Sequence, residues 1–378
     1  MNYSILRYIL GYVLKIEAAF MLLPCVTSLI YHEEEGRYFF VVACICMLIG
    51  VLMTLHKPKS TTFYLKEGCL ATSLSWILLS LFGAIPFWIS GEIPHWEDAL
   101  FETISGFTTT GATVLGNVEA LSHTALIWRS FTHWIGGMGV LVFLLAILPL
   151  SGGSSINLMR AESPGPSVGK LVPKVRYTAM ILYTIYFGMT VIEFIFLLAG
   201  HMPLFDALTT AFGTAGTGGF GIKNDSIMGY SPYIQWVVAI FMILFGINFN
   251  FYFYLLYRHF KKAVSMEEIH YYLAMILIAI TIIFLNIRAM YPTGFEAMTH
   301  SVFQVASLAT STGFSTTDFD LWPQTSQTIL IIVMFVGACA GSTGGGIKVS
   351  RIVILFKTVL KELNSYIHPK SVRKINVE

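Results

Sequence analysis

Charge is scarce in this sequence. Asp, Glu, Lys and Arg make up 12% of its 378 residues, about half the share usual in soluble globular domains. A large soluble helical core needs polar outer faces that so few charges cannot supply, which excludes that class. Cysteine is sparse as well. Cys25, Cys44, Cys46, Cys69 and Cys339 lie in or beside apolar runs, with neither metal-ligand nor disulfide-framework spacing. No constellation of catalytic residues stands out, so neither an enzyme nor a resident cofactor is expected. The net charge of +2 comes from basic residues spread over short loops and gives no sign of a nucleic-acid partner. A removable signal peptide is not expected either: Lys15 and Glu17 interrupt the first apolar run, and no small-residue cleavage site follows.

What the chain has instead is apolar length. Hydrophobic residues make up 55% of it, and its mean hydropathy is +0.71. Eight spans are expected, at 5–30, 38–56, 67–90, 123–150, 177–200, 232–257, 269–290 and 325–362, most of them near the roughly 20 residues a bilayer requires. The fold class that follows is an all-α polytopic membrane protein, with membrane lipid as its surroundings.

Between the spans lie three half-polar segments, 95–107, 203–215 and 295–309, too short to cross a bilayer. Each starts near a proline or polar entry and ends in a similar Thr/Gly stretch. Aligned on their glycines these read FETISGFTTTG, TTAFGTAGTGG and FQVASLATSTG, with Gly111, Gly219 and Gly313 in register. Long helix, short helix, loop, long helix is thus repeated at 67–150, 177–257 and 269–362, after a leading hairpin at 1–56 and before a tail at 363–378. Such internal repeats in membrane proteins usually surround a common axis.

Orientation comes from the basic residues. Lys57, Lys59 and Lys66, then Arg160, Lys170, Lys174 and Arg176, then Arg258, Lys261 and Lys262, and finally Lys357, Lys361, Lys370, Arg373 and Lys374 all fall on one side. The positive-inside rule makes that side, and both termini, cytoplasmic. All three short segments then enter from outside.

Irregular backbone at membrane depth survives where it is buried in protein or faces water. Loops of Thr and Gly with inward carbonyl oxygens can replace the hydration shell of an alkali cation. Hydroxyls of Thr109, Thr110, Thr217 and Thr312 can add oxygens or brace the loops. Each short helix also points its C-terminus, carrying about half a negative charge, at the axis. Glu92, Glu97, Asp98, Glu102 and Glu119 either concentrate cations at the mouth or form a solvated rim. In the last span GACAGSTGGG, residues 337–346, cannot hold a regular helix cheaply, and such a break lines or obstructs a conduction path. Lys348 and Arg351 follow it, either as functional intramembrane cations or snorkelling to the headgroups.

Some motifs mislead. GSTGGGIK lacks the GK[ST] order of a phosphate loop, and GTGGFG follows no strand. The run His32-Glu33-Glu34-Glu35 reads as solvated charge rather than a metal site, and His133 as a packed side chain. Glu193, within a span, stays open. The aromatic stretch at 248–257 reads as lipid-facing and interfacial.

The segments SGFTTTGATVL (105–115), WRSFTHWIGGMGVLVFLLAILP (128–149), GTGGFGI (216–222), SLATSTGFSTTD (307–318) and CAGSTGGGIKVSR (339–351) together resemble the membrane subunit of the Trk/Ktr/HKT superfamily of potassium transporters, on the Trk branch. The resemblance covers nearly the whole chain. It implies pseudo-symmetric hairpins around a central pore in the bacterial cytoplasmic membrane, a homodimer, and a cytosolic nucleotide-binding regulatory subunit. The family's selectivity filter falls on Thr110-Gly111, Gly218-Gly219 and Thr312-Gly313, and the candidate K⁺ site extends to Thr109, Thr217 and Ser311. Within the superfamily glycine at these positions goes with potassium, whereas serine at the first favours sodium. The gate it implies is the glycine-rich loop, with Gly341, Gly344, Gly345, Gly346, Lys348 and Arg351. The resemblance also implies a fourth repeat after about residue 375, while the sequence stops at Glu378. A fragment of a longer protein is the favoured expectation, ahead of a second chain that completes the ring or a non-conducting assembly or regulatory subunit. A sodium-coupled secondary transporter predicts inverted repeats, against which the one-sided entry of all three segments argues.

Overall fold

The computed structural model describes residues 2–58, 65–139 and 175–367, and among these every regular element is a helix. Helices α1 (Tyr3–Phe20), α2 (Leu22–Tyr31) and α3 (Gly36–Thr54) form the leading hairpin. The span expected at 5–30 breaks at Met21, because Pro24 has no N–H to donate to the Phe20 carbonyl one turn earlier. α1 and α3 cross at glycines. A Cβ on Gly11 would lie 3.0 Å from the Gly50 carbonyl oxygen, and one on Gly50 would lie 2.7 Å from that of Gly11, so small residues let the backbones touch.

Three similar units follow. The first comprises α4 (Leu65–Ser90), α5 (Trp96–Phe107) and α6 (His123–Met138). The second comprises α7 (Val175–Ala199), α8 (Leu204–Ala215), α9 (Pro232–Phe245) and α10 (Phe249–Leu256). After the linker helix α11 (Phe260–Val264) come α12 (Glu267–Ile287), α13 (Gly294–Ala309), α14 (Gln324–Val336) and α15 (Val349–Ile367). The short helices α5, α8 and α13 pack between the long helices of their own units, and α8 and α13 also pack against α6 and α9 of the unit before. That stepwise contact links each unit to the next. α5 and α8 have 12 residues each, about 18 Å of rise, well short of a bilayer core. They begin where His95 and Pro203 stand, and α13 begins at Thr293, whose hydroxyl accepts the Glu296 N–H at 3.2 Å.

Among the described residues five segments are long and apolar enough to cross a membrane, or six with the bent pair α9 and α10. The span expected at 232–257 is not straight: it turns by 90° between Phe245 and Phe249. Gly246 closes α9, and the Asn248 side chain accepts the Asn250 N–H at 3.0 Å to start α10. This turn corrects the reading of the aromatic stretch, since Phe249 and Phe253 are buried while Leu256 and Tyr257 are exposed. The span expected at 325–362 is divided by the glycine-rich loop. Of the span expected at 123–150 the part from 140 onward lies outside the described residues, as do Lys59, Arg160, Lys170, Lys174 and the tail from 368 on. Leu277, Ile278 and Leu285 on α12 are 63%, 60% and 67% exposed, an apolar surface suited to lipid. The fold is that of a polytopic membrane protein.

Candidate functional site

The three short helices end alike. One residue past each C-cap the backbone turns left-handed, at Thr109 (φ 54°), Thr217 (φ 50°) and Ser311 (φ 59°). The next N–H reaches back five residues: Thr110 to the Ser105 carbonyl at 2.9 Å, Gly218 to Gly213 at 3.0 Å and Thr312 to Ser307 at 2.8 Å. This is the Schellman ending, usually built on glycine. A residue with a Cβ there costs about 1–2 kcal/mol. Two residues later Gly111, Gly219 and Gly313 have φ of 74°, 78° and 90°, where glycine is the default. Serine hydroxyls brace the outer two loops, Ser105 donating to the Ala112 carbonyl and Ser307 to that of Phe314, each at 2.6 Å.

The loops meet one another. A Cβ on Gly111 would lie 1.9 Å from the Gly218 carbonyl oxygen and 3.7 Å from that of Thr312. One on Gly219 would lie 1.8 Å from the Thr312 carbonyl oxygen, while one on Gly313 would meet nothing within 4 Å. Each carbonyl therefore abuts the glycine of the preceding loop, and all three copies share one centre. Main-chain oxygens gathered in this way, with three helix C-termini approaching, are groups that can coordinate a cation.

The glycine-rich loop sits directly against the third copy. The Gly345 N–H donates to Ser311 Oγ at 2.7 Å, and a Cβ on Gly344 would lie 3.0 Å from the Thr310 carbonyl oxygen. The loop then folds onto its own start: the Lys348 N–H donates to the Val336 carbonyl at 2.9 Å and the Val349 N–H to that of Ala338 at 3.1 Å. A Cβ on Gly337 would lie 2.4 Å from the Gly345 carbonyl oxygen, so only glycine fits this crossing. Lys348 is half-buried, and its ammonium donates to the Gly344 carbonyl. Gly341, Gly344, Gly345, Gly346 and Lys348 thus lie within the loop. Arg351 does not: its side chain is exposed on α15, and its N–H bonds the Lys348 carbonyl at 3.1 Å.

A family model described as TrkH, cation transport protein, matches residues 36–378. The chain belongs to the TrkH family. The Trk system potassium uptake protein TrkH of Salmonella typhimurium is 36% identical to this TrkH-family chain over 386 residues, which cover 100% of the chain and 80% of that protein. The Trk system potassium uptake protein TrkG of Escherichia coli K12 is 33% identical over 382 residues, with 99% and 78% covered. The crystal structure of the potassium transporter TrkH from Vibrio parahaemolyticus matches the fold with a TM-score of 0.88 at 29% identity, over 100% of this chain and 79% of that one.

The TrkH-family architecture also fixes residues outside the three loops, and one of them lies away from where the sequence pointed. Glu102, read as a mouth or rim acid, is 1% exposed. Its carboxylate accepts from Thr113 Oγ1 at 2.9 Å, from the Val114 N–H at 3.3 Å and from Arg129 Nε at 2.5 Å. Arg129 in turn donates to the Gly221 carbonyl at 2.7 Å and lies over the Phe220 ring at 3.7 Å, so it joins the first loop to the second. His133 is wholly buried and stacks on Phe220 at 4.1 Å. A Cβ on Gly218 would lie 2.3 Å from its ring, so the imidazole is the packed support beneath the second loop. Glu193 is fully buried on α7. Glu92 and Glu119 accept backbone N–H groups from Ser122 and Asn224 at 3.3 and 3.0 Å.

Glu33 is not a solvated charge either. It caps α6, accepting from the N–H groups of His123 and Thr124, each at 2.9 Å, and from Thr124 Oγ1 at 2.6 Å. Partial burial pushes its carboxyl up, but these hydrogen bonds outweigh that and hold it below the ordinary carboxylate range. Among the described residues no group of three His, Cys, Asp or Glu is placed to hold a metal ion.

Proposed function

We propose that this chain takes up potassium across the bacterial cytoplasmic membrane, the ion passing between main-chain carbonyls of Thr110-Gly111, Gly218-Gly219 and Thr312-Gly313. Thr109, Thr217 and Ser311 shape the three turns. The observation that carries the reading is the mutual approach of the loops, with the Gly218 and Thr312 carbonyl oxygens against the glycines of neighbouring copies. The names of the relatives support the choice of ion. The glycine-rich loop from Gly337 to Lys348 is the gate, a role favoured by its contact with Ser311 and Thr310 on the third copy. The units 67–150, 177–257 and 269–362 act as pore repeats, with 1–56 as a supporting hairpin and 363–378 as a tail. The protein works as a homodimer, with both termini in the cytoplasm and a cytosolic nucleotide-binding regulatory subunit beside it.

The test is growth at low potassium of a bacterium lacking its own uptake systems and carrying the complete gene. Rescue is expected from the unaltered gene. Gly111→Ser is expected to weaken rescue and admit sodium, because its side chain must displace the Gly218 carbonyl. Full rescue by Gly111→Ser with unchanged ion preference would remove the filter from this site.

A further inference from the structure

Glu268, in the first turn of α12, has no part in the ion pathway as read so far, yet it is only 6% exposed. Its Oε1 accepts the N–H of Ala340 at 2.6 Å and the N–H of Ser350 at 3.1 Å. Its Oε2 lies 3.5 Å from Asn248 Nδ2. Ala340 immediately precedes the run from Gly341 to Gly346, and Ser350 follows it at the start of α15. One carboxylate oxygen therefore ties both flanks of the glycine-rich loop to a different helix.

The surroundings make this tie the loop's main side-chain anchor on that face. Around it the loop is pinned by backbone to the bend between α9 and α10: the Cys339 N–H donates to the Gly246 carbonyl, and the Phe249 N–H to that of Gly341, both at 3.0 Å. Asn248 completes the group, linking the bend to Glu268. Glycines bring no side chains of their own, so a loop rich in them is held by what reaches it from outside. Lys348, next to the start of α15, carries no acceptor to cap that helix, and the Ser350 N–H takes its partner from residue 268 instead. Two backbone N–H groups on opposite flanks of the loop converge on one oxygen, so losing this side chain releases both flanks at once.

We propose that Glu268 is the positioning residue that clamps the glycine-rich loop across the pathway, and that loss of its bonds to Ala340 and Ser350 frees the loop to leave it. The inference rests on the reading of the loop as a gate. A residue that merely supports folding gives less active protein when it is lost. A clamp on a closed gate gives more flux, and misfolding cannot imitate that gain.

The full chain is reconstituted in lipid vesicles, and rubidium tracer flux and the K⁺/Na⁺ permeability ratio are measured for Glu268→Ala, Glu268→Gln, Glu268→Asp and a deletion of Gly344–Gly346. Glu268→Ala is expected to raise flux per reconstituted protein on the order of tenfold, equivalent to about 1.4 kcal/mol of lost preference for the closed loop. The permeability ratio stays unchanged, because the filter loops are not touched. Glu268→Gln, of the same shape but uncharged, is expected to give a smaller rise, and Glu268→Asp to return towards the unaltered protein. If Glu268→Ala does not accumulate, the Gln variant decides. Flux at or below the unaltered level in folded Glu268→Gln, with the deletion leaking, overturns the clamp and leaves the gate standing. An unaltered flux in the deletion as well overturns the gate itself.

Discussion

Consider Gly219→Ala. The new Cβ would stand 1.8 Å from the Thr312 carbonyl oxygen and 2.8 Å from its carbon. Ordinary carbon–oxygen contacts begin near 3.3 Å, so one main chain or the other must retreat by about 1.5 Å. The obstacle is backbone on both sides, and no side-chain rotation relieves it. A left-handed φ of 78° adds about 1–2 kcal/mol for any residue with a Cβ, and overpacking of this kind costs about 1–3 kcal/mol. The combined loss is about 2–5 kcal/mol, centred on the oxygens proposed to hold the ion. Gly91 supplies the control, since its φ is 82° and a Cβ there would meet nothing within 4 Å. Gly91→Ala therefore carries the backbone penalty alone. Thermal unfolding in detergent and potassium flux in vesicles are measured for both. Gly91→Ala is expected to lower stability by about 1–2 kcal/mol with normal flux and selectivity. Gly219→Ala is expected to lose more stability, to pass potassium at least about tenfold more slowly, and to discriminate less against sodium. Equal stability in the two variants, with unaltered flux in Gly219→Ala, would refute the convergence of the loops.

Two other expectations follow from the supporting residues. Arg129→Met leaves the Glu102 carboxylate buried without its cation, at a cost of about 3–5 kcal/mol; thermal unfolding of that variant beside the pair Arg129→Met with Glu102→Met is expected to show the double change as the milder one. Glu33 has a depressed folded-state pKa, so its stabilisation is complete above its unfolded value and fades as pH falls through the folded one. Stability measured from neutral into the acid range is accordingly expected to fall less steeply for Glu33→Gln, which starts about 1 kcal/mol lower from the weakened cap.

The sequence exposed whatever repeats or is local. Apolar length marked the spans, and the glycine register marked the loops, because Gly111, Gly219 and Gly313 occupy a backbone region where other residues are strained. The turns just before them were less legible, since Thr109, Thr217 and Ser311 take left-handed geometry without the glycine that advertises it. The bend after Phe245 had a signal in Gly246 and Asn248, a helix stop followed by a helix start, but the surrounding aromatics hid it within one apolar run. Pairings between distant residues left no trace. Glu102 meets Arg129 across a change of element, Glu33 caps a helix some 90 residues away, and Glu268 reaches 72 and 82 residues ahead. A carboxylate with a far partner looks in sequence like any other acid at the membrane surface.

Arg129 grips the first loop through Glu102 and the second through the Gly221 carbonyl. A flat, rigid guanidinium therefore acts as a strut between two of the three loops proposed to surround the ion. The two loops are thereby coupled: whatever shifts one drags its neighbour, because the link between them is a planar ion held at both ends rather than yielding hydrocarbon packing.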